Sequence, residues 1–292
     1  MISVIDVNNH WQIKHFESMT DFAQNSLNQL VGALKGELHD VVPFVGAGLP
    51  AAYGVPDWTS FLLGLAANAE MEPEIKKLLA VGQFEEAAQA IQNHEHMEHA
   101  FPSQLEQQLG VISQSLLANS DAAPPIIPMF QSDCVITTNF DSYVERVFEE
   151  YRNPFGKIIL GPACDVSSEL NETPLDANTL IKLHGTASNK NFRVLTYREY
   201  EKHYISDGEF DIGLPTPGTL ERLSSSRRLL FVGCSLQQDR FLTVLQKGPV
   251  GTRRHFAIVA KPDDDVSTLQ RCLLYTSPSP RDRTRSRMPS SA

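Results

Sequence analysis

The stretch VVPFVGAGLPAAYGVPDW, Val41 to Trp58, constrains what this chain can fold into more than any other. Val41, Val42, Phe44 and Val45 form an apolar, largely β-branched run that reads as a buried strand. The run meets Gly46-Ala47-Gly48, a turn that only small residues can make, and a second turn at Gly54-Val55-Pro56 ends on Asp57. Asp57 is a good N-cap for the apolar-periodic segment WTSFLLGLAANA. Glycines between a strand and a helix let the backbone approach a ligand closely, and successive N–H groups near a helix N-terminus favour a phosphate. The first expectation is therefore a nucleotide carrying a diphosphate. A glycine turn that simply links strand to helix explains this one stretch equally well.

The remaining chain narrows the class. Its 292 residues are 41% hydrophobic and 21% charged, with a mean hydropathy of -0.22, an ordinary soluble globular composition that one large α/β domain can accommodate. No apolar run reaches the about 18 residues of a membrane span, and MISVIDVNNHWQIKHF lacks a basic-then-apolar signal pattern, so a cytoplasmic protein is expected. Cys134, Cys164, Cys234 and Cys272 are widely spaced and form no C-x-x-C pair, which favours reduced thiols over a disulfide framework or a zinc site. A net charge of -10 disfavours a broad nucleic-acid surface. From Cys272 the chain turns abruptly rich in Ser, Pro and Arg, and Cys272 to Asp282 resembles a translated sequencing-library adapter. Residues 272–292 are accordingly read as a non-native, disordered tail, with a natural protein that continues differently beyond Arg271; without the tail's four Arg and one Asp the net charge becomes -13.

Taken in order, Thr20 or Asp21 can cap a helix through about Leu34 with Phe22, Leu27, Leu30, Val31 and Leu34 on its apolar side, ended by Gly36. After the Trp58 helix, Glu70 to Ala118 reads as amphipathic helices (EIKKLLAVG, QFEEAAQAIQNHEHMEHA, SQLEQQLGVISQSLLA), a helical insertion at about 70–120. His94, His96 and His99 lie on it at offsets of two and five residues, which do not share a helix face, so a solvated polar face is expected rather than a metal site. Asp121 to Pro128 is a loop. Cys134 to Thr138 is a short buried strand followed by Asn139, Asp141 and the helix SYVERVFEEY; Asn and Asp there suit either a ligand or a cap. Lys157 to Leu160 and Thr179 to Leu183 are further strands. His184-Gly185 follows the second of these, and a histidine at a strand end suits a general base, though a lone histidine is more often structural. Arg193 to Thr196 leads into the helix YREYEKHY. Leu229 to Gly233 is a strand with its turn at Cys234-Ser235, LQQDRFLTVLQK a helix, and His255 to Ala260 a last strand. Apolar strands alternating with helices predict an α/β fold, a Rossmann-like parallel sheet with helices on both faces. The unusual glycines and polar residues all fall at strand C-terminal ends, where such sheets bind ligands.

Together these segments resemble the sirtuin-like superfamily, and within it the bacterial sirtuin-like antiphage NAD hydrolases more than the protein deacylases. The fingerprint GAG, Ile-Ser, two variable residues, Ser-Gly-Ile-Pro-Asp-Phe-Arg is matched by Gly46 to Thr59; Gln-Asn-Ile-Asp by Thr138-Asn139-Phe140-Asp141; the catalytic His-Gly by His184-Gly185; and the Gly-x-Ser turn by Gly233-Cys234-Ser235. Pro50 and Thr59 replace the family's Ser and Arg, and the C-x-x-C pairs usual in deacylases are absent. GVPDW, TTNFD and KLHG followed by VLTYREY resemble the hydrolase branch.

The resemblance implies residues 1–271 as one NAD-binding domain that hydrolyses the nicotinamide–ribose bond, giving nicotinamide and ADP-ribose and depleting NAD+ in antiphage defence. It implies His184 acting on ribose hydroxyls or water, Asn139 orienting ribose and water, and Asp141 holding the nicotinamide amide or capping its helix. It assigns NAD+ contacts to Gly46, Ala47, Gly48, Pro56, Asp57, Thr138, Gly233 and Ser235, with NAD+ as substrate and no metal. It further implies a homo-oligomer, triggered by a phage protein or second messenger through a missing C-terminal region, and no nucleic-acid or membrane partner. Three rivals stand beside it: a protein deacylase, a non-catalytic NAD+ or ADP-ribose sensor, and a Rossmann dehydrogenase. The last is suggested by Gly46-x-Gly48-x-x-Ala51 but requires a strand ending in an acidic residue about 20 residues later, where the region around Glu70 reads as helix.

Overall fold

Val41–Val45 (β2) is buried at every position, as a run with apolar side chains on both faces must be in the middle of a sheet covered on both sides. Pro43 has no N–H to donate, and the register with the strand on that side begins only at Phe44↔Ile136. The computed structural model describes residues 2–6, 19–36, 41–95, 97, 100–110, 134–161, 178–234, 243–245 and 255–260. Before β2 come β1 (Ile2–Asp6) and α1 (Met19–Gly36); after it come α2 (Trp58–Asn68), α3 (Glu72–Ala80), α4 (Phe84–Asn93) and α5 (Ala100–Leu105). Then follow β3 (Cys134–Thr137), α6 (Tyr143–Glu150), β4 (Lys157–Leu160), β5 (Thr179–Lys182), α7 (Tyr197–Tyr204), the hairpin β6 (Ile205–Ser206) and β7 (Glu209–Phe210), α8 (Pro215–Ser226), β8 (Arg228–Val232) and β9 (Phe256–Ala260).

Seven strands form one sheet in the order β1-β9-β8-β2-β3-β5-β4. All neighbours are parallel except β1, which pairs antiparallel with β9 at the edge. The side chains alternate between the two faces of the sheet, as the period of two demands. Val42, Phe44, Cys134, Ile136, Ile181, Leu229 and Phe231 pack with Leu220 and Leu223 of α8. Val45, Val135 and Leu180 pack on Tyr143, Val144, Val147 and Phe148 of α6, and Val41, Leu230 and Val232 join Leu30 of α1. This is the expected α/β, Rossmann-like parallel sheet.

The helices between β2 and β3 build a core of their own from Phe61, Leu65, Ile75, Ala88, Ile91 and Phe101. Phe140, Ala187 and Leu195, from the loops after β3 and β5, complete it. A dehydrogenase-type fingerprint needs a strand next; α2 and α3 stand in that place, with Glu70 in the turn between them at a positive φ of 57°.

Several local expectations are corrected. α1 begins at Met19, so Thr20 and Asp21 lie inside its first turn rather than capping it. Its buried strip runs through Ser26 and Leu30 to the partly buried Ala33 and Leu34, which leaves Leu27 and Val31 on the flanks, each 38% exposed. The segment from Gln83 stops being helical at Asn93, and His94 is extended. A fresh helix starts at Ala100, which places Pro102 in a first turn, where a missing N–H costs nothing. β1, the β6–β7 hairpin and α8 occupy segments the sequence left unassigned. The predicted loop at 121–128, the 272–292 tail, and most of the helix expected after Ser235 lie outside the described residues.

Candidate functional site

The strand register decides which distant residues meet. Val45 pairs with Thr137 and with Val232, and Thr137 pairs with Lys182. One residue further along each chain stand Gly46, Thr138, Leu183 and Gly233; two residues further stand Ala47, Asn139, His184 and Cys234. With neighbouring strands about 4.8 Å apart, the motif residues line one edge of the sheet at its C-terminal side. That edge is where parallel sheets take their ligands.

The glycine turn locks two loops together. The Gly46 N–H donates to the Val232 carbonyl (2.9 Å) and the Gly48 N–H to the Gly233 carbonyl (2.8 Å). A Cβ on Gly46 would sit 2.5 Å from the Gly233 oxygen, and one on Gly48 2.8 Å from the same atom. Gly233 itself has φ +69°, with Leu49 N 2.8 Å from where its Cβ would be. Two of the N–H groups expected to face a phosphate are thus spent on joining β2 to β8, and the glycines are needed for that contact. Pro50–Tyr53 follows as a 3-10 turn ended by Gly54 at φ 83°. Asp57 Oδ1 accepts the Ser60 N–H at 2.7 Å, the expected cap of α2, with half-buried Pro56 before it. Ser235 lies outside the described residues.

After β3 most of the polar groups are paired; among the described residues the buried atoms without a partner in this segment are Asn139 Nδ2 in the loop and Glu145 Oε2 and Arg146 Nε in α6. Thr137 Oγ1 donates to the Val45 carbonyl (2.8 Å) and accepts the Asn139 N–H (3.0 Å). Half-buried Thr138 stands between them. Asn139 is 4% exposed, and its Nδ2 is buried without a hydrogen-bond partner among the described residues. Such a group costs about 1–3 kcal/mol and calls for an explanation. Asp141 Oδ1 accepts the Tyr143 N–H at 2.8 Å at the start of α6. Burial raises its carboxyl to about 6, against the pull of the Tyr143 N–H and the Lys182 charge. Lys182, itself buried, donates from Nζ to the Asp141 carbonyl (2.6 Å) and to Glu145 Oε1 (2.7 Å). The β5 end is thereby tied to the loop that carries Asn139.

His184 is buried, and both ring nitrogens meet tyrosine hydroxyls. Nε2 lies 2.8 Å from Tyr204 Oη and Nδ1 3.3 Å from Tyr200 Oη. The two tyrosines are one helical turn apart on α7 and so face the same way; their rings stack at 5.5 Å and 29°. α7 is fixed at its start by a Thr196–Glu199 capping box, and Glu199 also takes the buried Arg193 at 3.0 Å. Gly185, at φ 77°, makes the turn that brings Arg193 back against it. Burial, helped by the His203 charge, lowers His184 to about 3, so its imidazole is neutral over the working pH range. Sequence reasoning missed both tyrosines; the spacing of Tyr200 and Tyr204 in YREYEKHY was the available signal.

Of the three histidines weighed as metal ligands, His94 lies just past α4, and His96 and His99 fall outside the described residues. Among the described residues no three His, Cys, Asp or Glu side chains gather as a metal site, and no helix is long and apolar enough to cross a membrane. The model of the SIR2-like domain family matches residues 133–276. That span carries Asn139, Asp141, His184 and Gly233, while Val41 to Trp58 lies before it. No curated protein matches the chain significantly.

Proposed function

We propose that the protein is an NAD+ hydrolase that cleaves the nicotinamide–ribose bond, a reading supported by the match of residues 133–276 to the model of the SIR2-like domain family, whose members use NAD+. The observation that carries the reading is the buried, unpartnered Nδ2 of Asn139, one strand away from a buried neutral histidine. A donor held out of water without a partner is matched by a ligand oxygen, and a ribose hydroxyl or a bound water supplies one. In the reaction the C1′–N bond breaks with its electron pair leaving on neutral nicotinamide, through an oxocarbenium-like state as in glycoside cleavage. Asn139 orients ribose and water; His184 takes the proton as the oxygen adds to C1′. Ala47, Thr138, Pro56, Asp57, Gly233 and Ser235 border NAD+ in this reading, and Asp141 acts by holding the loop of Asn139. On the resemblance alone, the reading extends to antiphage NAD+ depletion by a triggered cytoplasmic homo-oligomer.

The test is chromatography of NAD+ incubated with the full chain, beside His184→Ala and Asn139→Ala. Nicotinamide and ADP-ribose should appear with the parent and fall by about 100-fold or more in each variant. Unchanged turnover in both variants would defeat the assignment. The double occupation of His184 by tyrosines favours one second reading, a sensor that binds NAD+ or ADP-ribose without consuming it. Binding without turnover, by calorimetry, would select the sensor.

A further inference from the structure

A neutral imidazole has one donor and one acceptor nitrogen. With Tyr204 on Nε2 and Tyr200 on Nδ1, one hydroxyl must donate to the ring and the other must accept from it. No lone pair then remains for a third group. If His184 is to take a proton from a substrate hydroxyl or a water, one tyrosine has to give way, and the structure distinguishes the two.

Tyr204 is 2% exposed. Its ring lies between Tyr200 and Phe210, 6.0 Å from the latter. Its carbonyl accepts the Asp211 N–H at 2.9 Å, and its hydroxyl bond is the shorter one. Tyr200 is half-buried, sits mid-helix, and reaches Nδ1 only at 3.3 Å. We propose that Tyr204 is the positioning residue of His184, keeping the ring proton on Nε2, and that Tyr200 holds at Nδ1 the place a substrate hydroxyl or water takes. Nε2–H donates to Tyr204 Oη throughout. The incoming O–H displaces the Tyr200 hydroxyl, and its proton moves to Nδ1 as the oxygen adds to the ribose carbon. The kinetic part of this inference rests on the NAD+-hydrolase reading; the tautomer does not.

Two variants of the full chain, Tyr204→Phe and Tyr200→Phe, keep both rings and their stack. In histidine-15N-labelled protein, with the His184 signals identified by their loss in His184→Ala, the parent and Tyr200→Phe should both show a protonated Nε2 and a bare Nδ1. Tyr204→Phe should show the two tautomers mixed. With NAD+, Tyr204→Phe should lower kcat about 10-fold through kcat rather than KM. Tyr200→Phe should raise kcat/KM by lowering KM, because no hydroxyl has to be displaced. A parent ring protonated on Nδ1, or a Tyr200→Phe that loses kcat as Tyr204→Phe does, would overturn the proposal. A parent that leaves NAD+ untouched would refute the hydrolase reading, while the 15N spectra still decide the positioning role.

Discussion

Gly185→Ala and Gly54→Ala form a matched pair that separates backbone conformation from packing at the site. Both glycines have positive φ, 77° and 83°, so each alanine pays for a left-handed conformation, about 1–2 kcal/mol. They differ in space. Nothing lies within 4 Å of a Cβ on Gly54, whereas one on Gly185 overlaps the Phe192 carbonyl oxygen and lies 2.6 Å from its carbon. To relieve that overlap the Gly185–Arg193 bridge must open. Opening it weakens the 3.0 Å bond from the Val194 N–H to the His184 carbonyl, worth about 1 kcal/mol, and disturbs the buried Arg193–Glu199 pair, at roughly another 1–2 kcal/mol. Gly185→Ala should therefore cost about 4 kcal/mol and Gly54→Ala about 1 kcal/mol, against a total of about 5–15 kcal/mol for a domain. Urea unfolding followed by circular dichroism gives both values, and Gly185→Ala should also lose NAD+ turnover as His184 shifts. Equal destabilisation by the two variants would refute the packing argument and leave only the dihedral term.

Two further outcomes are expected. Lys182→Met leaves the Glu145 carboxylate and the Asp141 carbonyl without their shared ammonium and should cost about 3 kcal/mol in urea unfolding, part of it recovered by adding Glu145→Gln. Stability should also fall with acid. Burial lowers His184 to about 3 and His255 to about 4, below their unfolded value of about 6.5, so the unfolded chain takes up protons first and stability is lost as pH falls from about 6.5 toward those values. Between pH 7 and 5 each histidine removes about 2 kcal/mol. Asp141, raised to about 6, works the other way and returns about 1 kcal/mol on protonation. A urea midpoint that rises between pH 7 and 5 would contradict this balance.

The central strands were legible because a buried parallel strand must be a short, largely apolar run, as CVIT, TLIK and RLLFV are; KIIL was legible as the same kind of run although it forms the partly exposed edge of the sheet. The site was legible as a set of polar residues following those runs. Which of them lie on neighbouring strands was not, because adjacency is a matter of register: Thr137 opposite Lys182 is what sets the loop of Asn139 beside the strand that leads into His184, and no local pattern states it. Gly46 and Gly48 were identified as constrained, but the constraint is the backbone of Gly233, far off in sequence. α1 misled because its apolar pattern is wider than the strip it buries. The tyrosines on His184 escaped notice because aromatic residues spaced one helical turn apart are ordinary core signals, and only the folded chain shows a histidine between their hydroxyls.

Phe140 and Leu195 give the helical insertion a hold on the candidate site. Phe140 stands next to Asn139 and edge-on to Trp58, 5.4 Å away, while Leu195 belongs to the segment that returns past His184. Both pack in the core of the α2–α5 bundle rather than in the cores of the sheet. Repacking that bundle, by trimming Leu65 or Ile91 for example, would reach the two loops together while the strands stay as they are. Substitutions in the insertion therefore act on the candidate site at a distance, through the packing of Phe140 and Leu195.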